Sequence, residues 1–389
     1  MKVDISKKTA LRFVVLLGIV SLFADMTYEG ARSIAGNYLA YLGATGTIVG
    51  LVAGIGELVG YGLRLLSGFV SDKTGKYWAI TFFGYFLNLF AVPALALTGN
   101  WQIAAILMIA ERTGKAFRNP PRDAMLSHAT SEMGRGWGFG LHEFMDQTGA
   151  MLGPLIVALI LFLKGSYHTA FAFLLVPAIL SVTTLIVARF QYPNPTNLEP
   201  VAKNLEGKGL THAFWLYLIA AGFVGMGYAH FTLIAFHFEK TGSVATAWTP
   251  VFYAIAMGVA ALTALLFGWI FDKIGFAIFY IAFLLAAFSA PFLFFGGFVF
   301  ALIGMILWGI GMGVQDSLLK AALSNIVPSS KRGTAFGIFD TGFGIAWFVG
   351  SVAMGILYDR SIPLLVGFSV ASQLIALPLF LLARRYQAS

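Results

Sequence analysis

The sequence predicts an all-α integral membrane protein with twelve transmembrane helices, arranged as two pseudo-symmetric six-helix halves. Three observations carry that prediction. The composition is too apolar for a soluble core, twelve apolar windows are split six and six by one polar stretch, and punctuating residues recur at a near-fixed offset. Of the 389 residues, 59% are hydrophobic and 11% charged, whereas a soluble domain carries about 25% charged residues. The bilayer must therefore be the solvent for most of the chain. There is no cysteine, which excludes a disulfide scaffold and thiolate chemistry. The net charge of +8 does not point to nucleic acid, because basic residues in so apolar a chain mark cytoplasmic loops. Lys2, Lys7 and Lys8 make the N-terminus basic. No small-residue cleavage site follows the first apolar run, which is expected to stay as a helix.

A spanning helix needs about 20 mainly apolar residues. Windows of that kind lie near 11–38, 46–70, 77–98, 101–130, 136–163, 168–189, 211–238, 244–271, 276–297, 299–327, 333–357 and 362–383. The polar stretch 191–210, with Pro193, Pro195 and Pro200, reads as a cytoplasmic linker between halves at 1–190 and 211–389. Twelve spans put both termini on one side. With the termini inside, the inner set is Lys2, Lys7, Lys8, Arg12, Lys73, Lys76, Arg135, Arg189, Lys203, Lys208, Lys273, Lys331, Arg332, Arg384 and Arg385. The outer loops hold only Lys164, Lys240 and Arg360. That bias places the chain in the cell (inner) membrane with cytoplasmic termini.

The halves repeat each other. Gly68, Asp72, Lys73 and Gly75 recur as Gly268, Asp272, Lys273 and Gly275, 200 residues later. Arg135-Gly136, Phe139-Gly140 and Gly153 recur as Arg332-Gly333, Phe336-Gly337 and Gly350, 197 residues later. Parallel six-helix repeats occur in secondary transporters. Gly68 to Lys76 resembles the loop between helices two and three of the major facilitator superfamily, Gly-x-x-x-Asp-(Arg/Lys)-x-Gly-(Arg/Lys), with Tyr77 next to it where the family carries one further basic residue. The fifth window carries Gly140, Gly149, Gly153 and Pro154, similar to the antiporter motif of the drug/proton branch, with Val157 in place of its last glycine. Arg112 sits where the family's fourth-helix arginine would, although Lys115 and Ala116 replace its glutamine and glycine. The resemblance implies the twelve-helix fold and a gating role for the two loops. An Asp at a helix end between glycines and a lysine also makes a topology-fixing turn, and glycines four apart also serve plain helix packing.

Charges within the membrane cost at least about 2.5–3.5 kcal/mol each and mark function by default. Windows three, nine and twelve carry none and window six carries only Arg189 at its very end, which expects every third helix to face lipid and the others to surround a polar cavity. Asp25, Glu29 and Arg32 share a face of the first window, with Tyr28 beside them, and Glu57, Tyr61 and Arg64 share one in the second. Glu111, Lys115, Arg118 and Arg122 form a stripe on the fourth, and His142, Glu143 and Asp146 are grouped on one face of the fifth. Most of these charges should pair. Arg32, Arg118, Arg122 and Asp123, toward the membrane faces, read as structural. A carboxylate in a partly dry cavity can take and release a proton as its surroundings change. Asp146 and Glu111 lead as proton-coupling residues, with Arg112 as electrostatic partner, followed by Asp25, Glu143 and Glu57. Arg112, Lys115, Tyr28, Glu29, Tyr61, Gln315, Asp316 and Lys320 are the substrate candidates, and Tyr38, Phe144, Tyr228, Tyr253 and Trp308 further cavity lining. His142, His230 and His237 lack metal-ligand spacing and read as satisfied histidines, so no metal and no cofactor is expected. Pro120-Pro121 should kink or end the fourth helix.

The leading reading is a secondary transporter working by alternating access, exporting a small organic solute in exchange for a coupling ion, H+. Its expected partners are that solute, the ion and membrane lipid, with no nucleic acid, and a monomer is the default. The alternative is proton- or sodium-coupled uptake of an anionic metabolite on the basic stripe of the fourth helix. No nucleotide-binding Gly-x-x-x-x-Gly-Lys-(Ser/Thr) occurs and no recurrent filter is visible, which argues against a pump and a channel. An enzyme is not expected. A non-transporting receptor or scaffold is the reading from another class.

Overall fold

A computed structural model describes residues 7–130, 135–163, 165–193, 211–274, 277–327 and 332–388. Within them the chain is helical throughout, from α1 (Lys7–Tyr41), α2 (Gly46–Thr74) and α3 (Tyr77–Ala94) to α4 (Trp101–Thr130) and α5 (Arg135–Phe162). The sixth window is two helices, α6 (Tyr167–Phe173) and α7 (Leu175–Gln191). The seventh is also two, α8 (His212–Gly227) and α9 (Phe231–Thr241), and is followed by α10 (Thr249–Ile274). The ninth divides into α11 (Ala277–Ala287) and α12 (Ser289–Phe295). The last three spans are α13 (Phe298–Ile326), α14 (Arg332–Arg360) and α15 (Ile362–Ala388). The twelve expected spans are all present. Eleven are long and apolar enough to cross a membrane by composition alone, and the twelfth is α4, whose charge stripe makes it too polar for that criterion.

Proline accounts for two of the breaks. Pro177 and Pro291 lack the N–H that would bond the carbonyl four residues back. Those residues are Phe173 and Ala287, where α6 and α11 end. Pro120 and Pro121 behave differently from the expected kink or helix end, because α4 runs through them to Thr130. The carbonyl four residues before Pro121 belongs to Phe117, and it accepts a hydrogen bond from Ser67 Oγ of α2 at 2.7 Å. A neighbouring hydroxyl thus satisfies the group that proline orphans.

The chain divides into two compact units. One comprises Met1–Ser33 with Val59–Lys203, and the other Ile34–Leu58 with Asn204–Ser389. In the first, Phe13, Leu17 and Val20 of α1, Trp78, Tyr85 and Leu89 of α3, Met125 of α4, and Val182 and Leu185 of α7 form the apolar core. Helices α3 and α4 meet at Gly84 and Gly114, where a Cβ on either would lie 2.7 Å from the other's carbonyl oxygen. α5 meets α1 as closely: a Cβ on Gly149 or Gly153 would overlap the carbonyls of Leu22 and Met26. In the second unit a Cβ on Gly350 of α14 would overlap the carbonyl of Met226 on α8, and Ala346 packs against Gly222. Met26 and Met226 are 200 residues apart and Gly153 and Gly350 are 197 apart, so the repeat read from the sequence is one helix contact built twice. α3, α7, α11 and α15 expose apolar side chains such as Phe83, Ile179, Leu284 and Leu374. Charge-bearing α10 does so too, at Leu262, Leu265 and Leu266.

The second unit also takes in the C-terminal end of α1 and the first half of α2. Gly50 and Gly355 approach within backbone contact. The Asp359 carboxylate, at the end of α14, accepts hydrogen bonds from Gly46 N, Thr47 N and Thr47 Oγ1 at 2.7, 2.7 and 2.6 Å. It caps α2 from another helix. Asp359→Ala is expected to cost about 1–2 kcal/mol, read as a lower melting temperature in detergent. An unchanged melting temperature would mean that the cap is not formed.

Candidate functional site

The charge stripe of α4 lies against α1 and α3 in the first unit, and each side chain on it finds a partner one helix away. Glu111 Oε1 accepts from Asn88 Nδ2 of α3 at 2.7 Å, and the same amide reaches the Glu111 carbonyl at 3.0 Å. Arg112 Nε lies 3.6 Å from Glu111 Oε2. One turn on, Lys115 donates to the Tyr28 hydroxyl of α1 at 2.6 Å and lies 3.9 Å from Glu29. Glu29 in turn accepts from Arg32 at 3.0 Å, a pair three residues apart on one helix face.

Arg118 is the most deeply placed of the set, with no exposed surface. Its guanidinium lies 4.5 Å from the centre of the Tyr85 ring and 5.3 Å from that of Tyr28, within cation–π range of both. Nη2 approaches Asp25 Oδ1 at 3.6 Å, too long for a hydrogen bond. Nε and Nη1 of Arg118, Oδ1 of Asp25, Oδ1 of Asp146 and the Tyr85 hydroxyl have no hydrogen-bond partner although buried. Asp25 feels Asp146 and Glu29 as like charges and Lys115 and Arg118 as opposite ones. Such a set holds more donors and acceptors than it satisfies by itself. It is chemically suited to a proton, water or a polar ligand.

Arg122 closes the lower end. It donates to Asp123 at 2.8 and 2.9 Å and to Ser21 Oγ at 3.1 Å. Ser21 also meets His142 Nε2 of α5 at 3.0 Å. Arg118 and Arg122, expected as structural from their position along the sequence, both lie on the stripe, Arg118 beside Asp25 and Arg122 beside Asp123. Ser21, Tyr85 and Asn88 were missed altogether, because an uncharged residue in an apolar helix gives no signal until its neighbour is known.

The remaining candidates are placed as follows. Glu143 is exposed and accepts from Gln147 Nε2 at 2.9 Å, while His142 is 4% exposed. Adjacent residues on a helix point about 100° apart, so His142 and Asp146, four residues apart, share a face that does not include Glu143. Phe144, expected to line a cavity with Tyr38, Tyr228, Tyr253 and Trp308, is 70% exposed, whereas those four are buried. Glu57 belongs to the second unit, where it meets His230 Nε2 at 3.2 Å. Tyr61 belongs to the first and lies 5.2 Å under the Arg64 guanidinium. Gln315 turns its amide back to the Gly311 carbonyl at 3.2 Å, and Asp316 is exposed. Of the loop residues, Gly75 takes φ of 65°, the left-handed turn that favours glycine. Lys73 lies over the Phe69 ring at 5.7 Å, Lys273 over Trp269 at 3.4 Å, and Lys76 is exposed. Asp72, Gly140, Gly268, Asp272, Gly275 and Lys320 fall, wholly or in their side-chain surroundings, outside the described residues, as does 194–210 of the expected linker.

The second unit answers the charge cluster with aromatic rings. Tyr228, 200 residues after Tyr28, gives its hydroxyl to the Trp308 carbonyl. Its ring stacks on Trp308 at 5.3 Å and meets Trp347 edge-on at 6.1 Å. His230 Nδ1 accepts the Thr232 N–H at 3.2 Å and so caps α9.

The chain matches the family described as Major Facilitator Superfamily over residues 17–351. It is 40% identical to an uncharacterised protein of Mycobacterium tuberculosis over 376 residues, covering 95% of this chain and 92% of that one. An uncharacterised MFS-type transporter of Methanocaldococcus jannaschii is 29% identical over 363 residues, 90% of this chain and 89% of the relative. The multidrug resistance protein MdtH of Proteus mirabilis matches at 32% over 120 residues, 31% of this chain and 30% of its own. Among solved structures, the nucleoside transporter NupG superimposes with a TM-score of 0.72 at 15% identity, over 95% of this chain and 99% of that one. A peptide transporter, POT, in complex with sulfate does so with a TM-score of 0.74 at 14% identity, over 96% of this chain and 94% of that one.

Proposed function

Because this chain belongs to the Major Facilitator Superfamily, we propose that it is a secondary active transporter that carries a small organic solute by alternating access, driven by protons. The observation that supports the proton is two neighbouring carboxylates, the buried Asp25 and the half-buried Asp146, each with a buried oxygen that no protein group satisfies. An isolated buried carboxylate is costly as an anion and cheap as an acid. Arg118 beside Asp25 supplies a charge that favours the anion. Small movements between the two helices then decide whether the proton stays. Glu111, held by Asn88 and Arg112, and Glu143, exposed and bonded to Gln147, rank behind this pair.

Export in exchange for protons, as in the drug/proton antiporter branch, is the direction we favour. It is supported by the fifth-helix glycines and by the partial likeness to a multidrug resistance protein. The glycine support is weaker than the motif suggests, since the same close contact recurs at Gly350. The loops at Gly68–Lys76 and Gly268–Gly275 would gate the cycle. The halves at 1–190 and 211–389 would be the moving bodies, with both termini cytoplasmic in the cell membrane. Uptake of an anionic metabolite, proton- or sodium-coupled, is the second reading, favoured by the buried, unbonded donors of Arg118 with the half-buried Lys115 on the same stripe.

The test is flux in proteoliposomes loaded with a pH-sensitive dye, against cationic, neutral and anionic organic solutes. One class of solute should drive a pH change that Asp25→Asn and Asp146→Asn each abolish. Normal proton-linked flux in both variants would remove the assignment. Solute uptake parallel to proton entry, competed by carboxylates or phosphorylated compounds, would promote the second reading.

A further inference from the structure

Of the three divided windows, the seventh is the one that no proline breaks. Its 30-residue span, His212–Thr241, leaves the helix at Tyr228–His230, close to the midpoint, and contains no proline. Broken backbone at membrane depth needs its freed groups satisfied by protein or lining a cavity. Here other helices hold it. The Gly227 carbonyl accepts from Ser369 Oγ at 2.6 Å and Gln373 Nε2 at 3.2 Å, and the Ala229 carbonyl accepts from Trp308 Nε1 at 2.9 Å. Donors from α13 and α15 thus keep a break that the local sequence does not force. Discontinuous spans form binding sites in secondary transporters. What this break positions is His230. Its Nδ1 accepts the Thr232 N–H, so the ring hydrogen is on Nε2 and is donated to Glu57 Oε1 at 3.2 Å. A neutral ring bonds the carboxylate without cancelling its charge. The His230 ring lies 6.2 Å from that of Trp347, which in turn meets Tyr228. Trp347 is 5% exposed, and its Nε1–H has no acceptor among the described residues. A buried donor left in that state is rare enough to need a reason.

We propose that the second unit holds a solute subsite at this break, and that it takes an organic amine. The ammonium group pairs with Glu57, the body of the solute lies against the Trp347 and Tyr228 rings, and an acceptor on it takes the Trp347 N–H. This rests on the transport reading above and adds the substrate class. A carboxylate beside electron-rich ring faces attracts a cation and repels an anion. Glu57 then serves the solute, while the proton stays with Asp25 and Asp146 in the first unit.

The test is equilibrium binding to the purified whole chain, without a gradient. The probes are phenethylamine, para-methoxyphenethylamine, phenethyl alcohol and phenylpropionate. Both amines should bind, and the alcohol and the carboxylate should bind about thirtyfold more weakly or less. Glu57→Gln should bring the amines down to the level of the alcohol. Trp347→Phe keeps a ring beside Tyr228 and should cost the methoxy compound about three- to tenfold, leaving phenethylamine unchanged. It serves as the second variant if Glu57→Gln fails to fold. Unchanged amine binding in Glu57→Gln, a preference for phenylpropionate, or no binding of any probe would overturn the subsite. Equal losses of both amines in Trp347→Phe would overturn the role of its N–H. Asp25→Asn and Asp146→Asn should bind the amines as the native protein does. If they abolish coupled flux while Glu57→Gln binds amines normally, only the subsite fails. If amines bind through Glu57 and neither aspartate variant changes coupling, the subsite stands and the proton reading fails.

Discussion

Gly153→Val should prevent the first unit from assembling, and Gly350→Val should do the same in the second. A Cβ at either position would overlap a backbone carbonyl, that of Met26 or Met226. Backbone cannot rotate aside as a long side chain can, so the two helices must separate along their length. Overpacking of a well-packed core costs about 1–3 kcal/mol, and forcing two backbones apart falls at or above the top of that range. The readout is the fraction of monodisperse protein after extraction, with Gly153→Ala as a milder step in the same series. Equal losses at 153 and 350 would identify the fifth-helix glycines as packing elements shared by both repeats. Loss of transport at Gly153 with normal folding, and no effect at Gly350, would instead favour a motif specific to antiport.

Arg118→Met should be nearly as damaging, for an electrostatic reason. It removes the guanidinium that lies between Tyr85, Tyr28 and Asp25 and leaves Asp25 buried beside Glu29 and Asp146, with Lys115 as its remaining opposite charge. Breaking a buried pair by deleting one partner costs about 3–5 kcal/mol. The double variant Arg118→Met with Asp25→Asn removes both charges and should recover much of the stability, but not proton-coupled flux. That recovery is the coupling energy between neighbouring sites. A single variant as stable as the native protein would show that Asp25 does not depend on Arg118. A double variant no better than the single would mean that Arg118 acts through its tyrosine contacts alone.

Both results turn on contacts that differ in how far the sequence announced them. The glycines did so twice, at near-equal offsets. The Arg118 environment did not, because its partners come from α1 and α3, 93 residues away at Asp25 and 33 at Tyr85. Stripe spacing on α4 put Glu111, Lys115, Arg118 and Arg122 on one face, which the structure keeps. Spacing alone did not say how deep each would lie. It also grouped Glu143 with His142 and Asp146, although a neighbouring residue on a helix points elsewhere.

The sequence by itself determined the class of fold, the number of spans and the repeat. It could do so because a bilayer demands about 20 apolar residues per helix and internally satisfied backbone, and both demands are local. The helix breaks at Phe173 and Ala287 were also local, set by Pro177 and Pro291. Only the tertiary structure decided that Pro120 and Pro121 leave α4 unbroken, since the relieving hydroxyl is Ser67 of another helix. It alone decided that Tyr28 meets a lysine while its repeat partner Tyr228 meets a tryptophan carbonyl. Which charges become partners depends on the rotation and depth of each helix against its neighbours. Packing sets those two quantities, and no single helix encodes them.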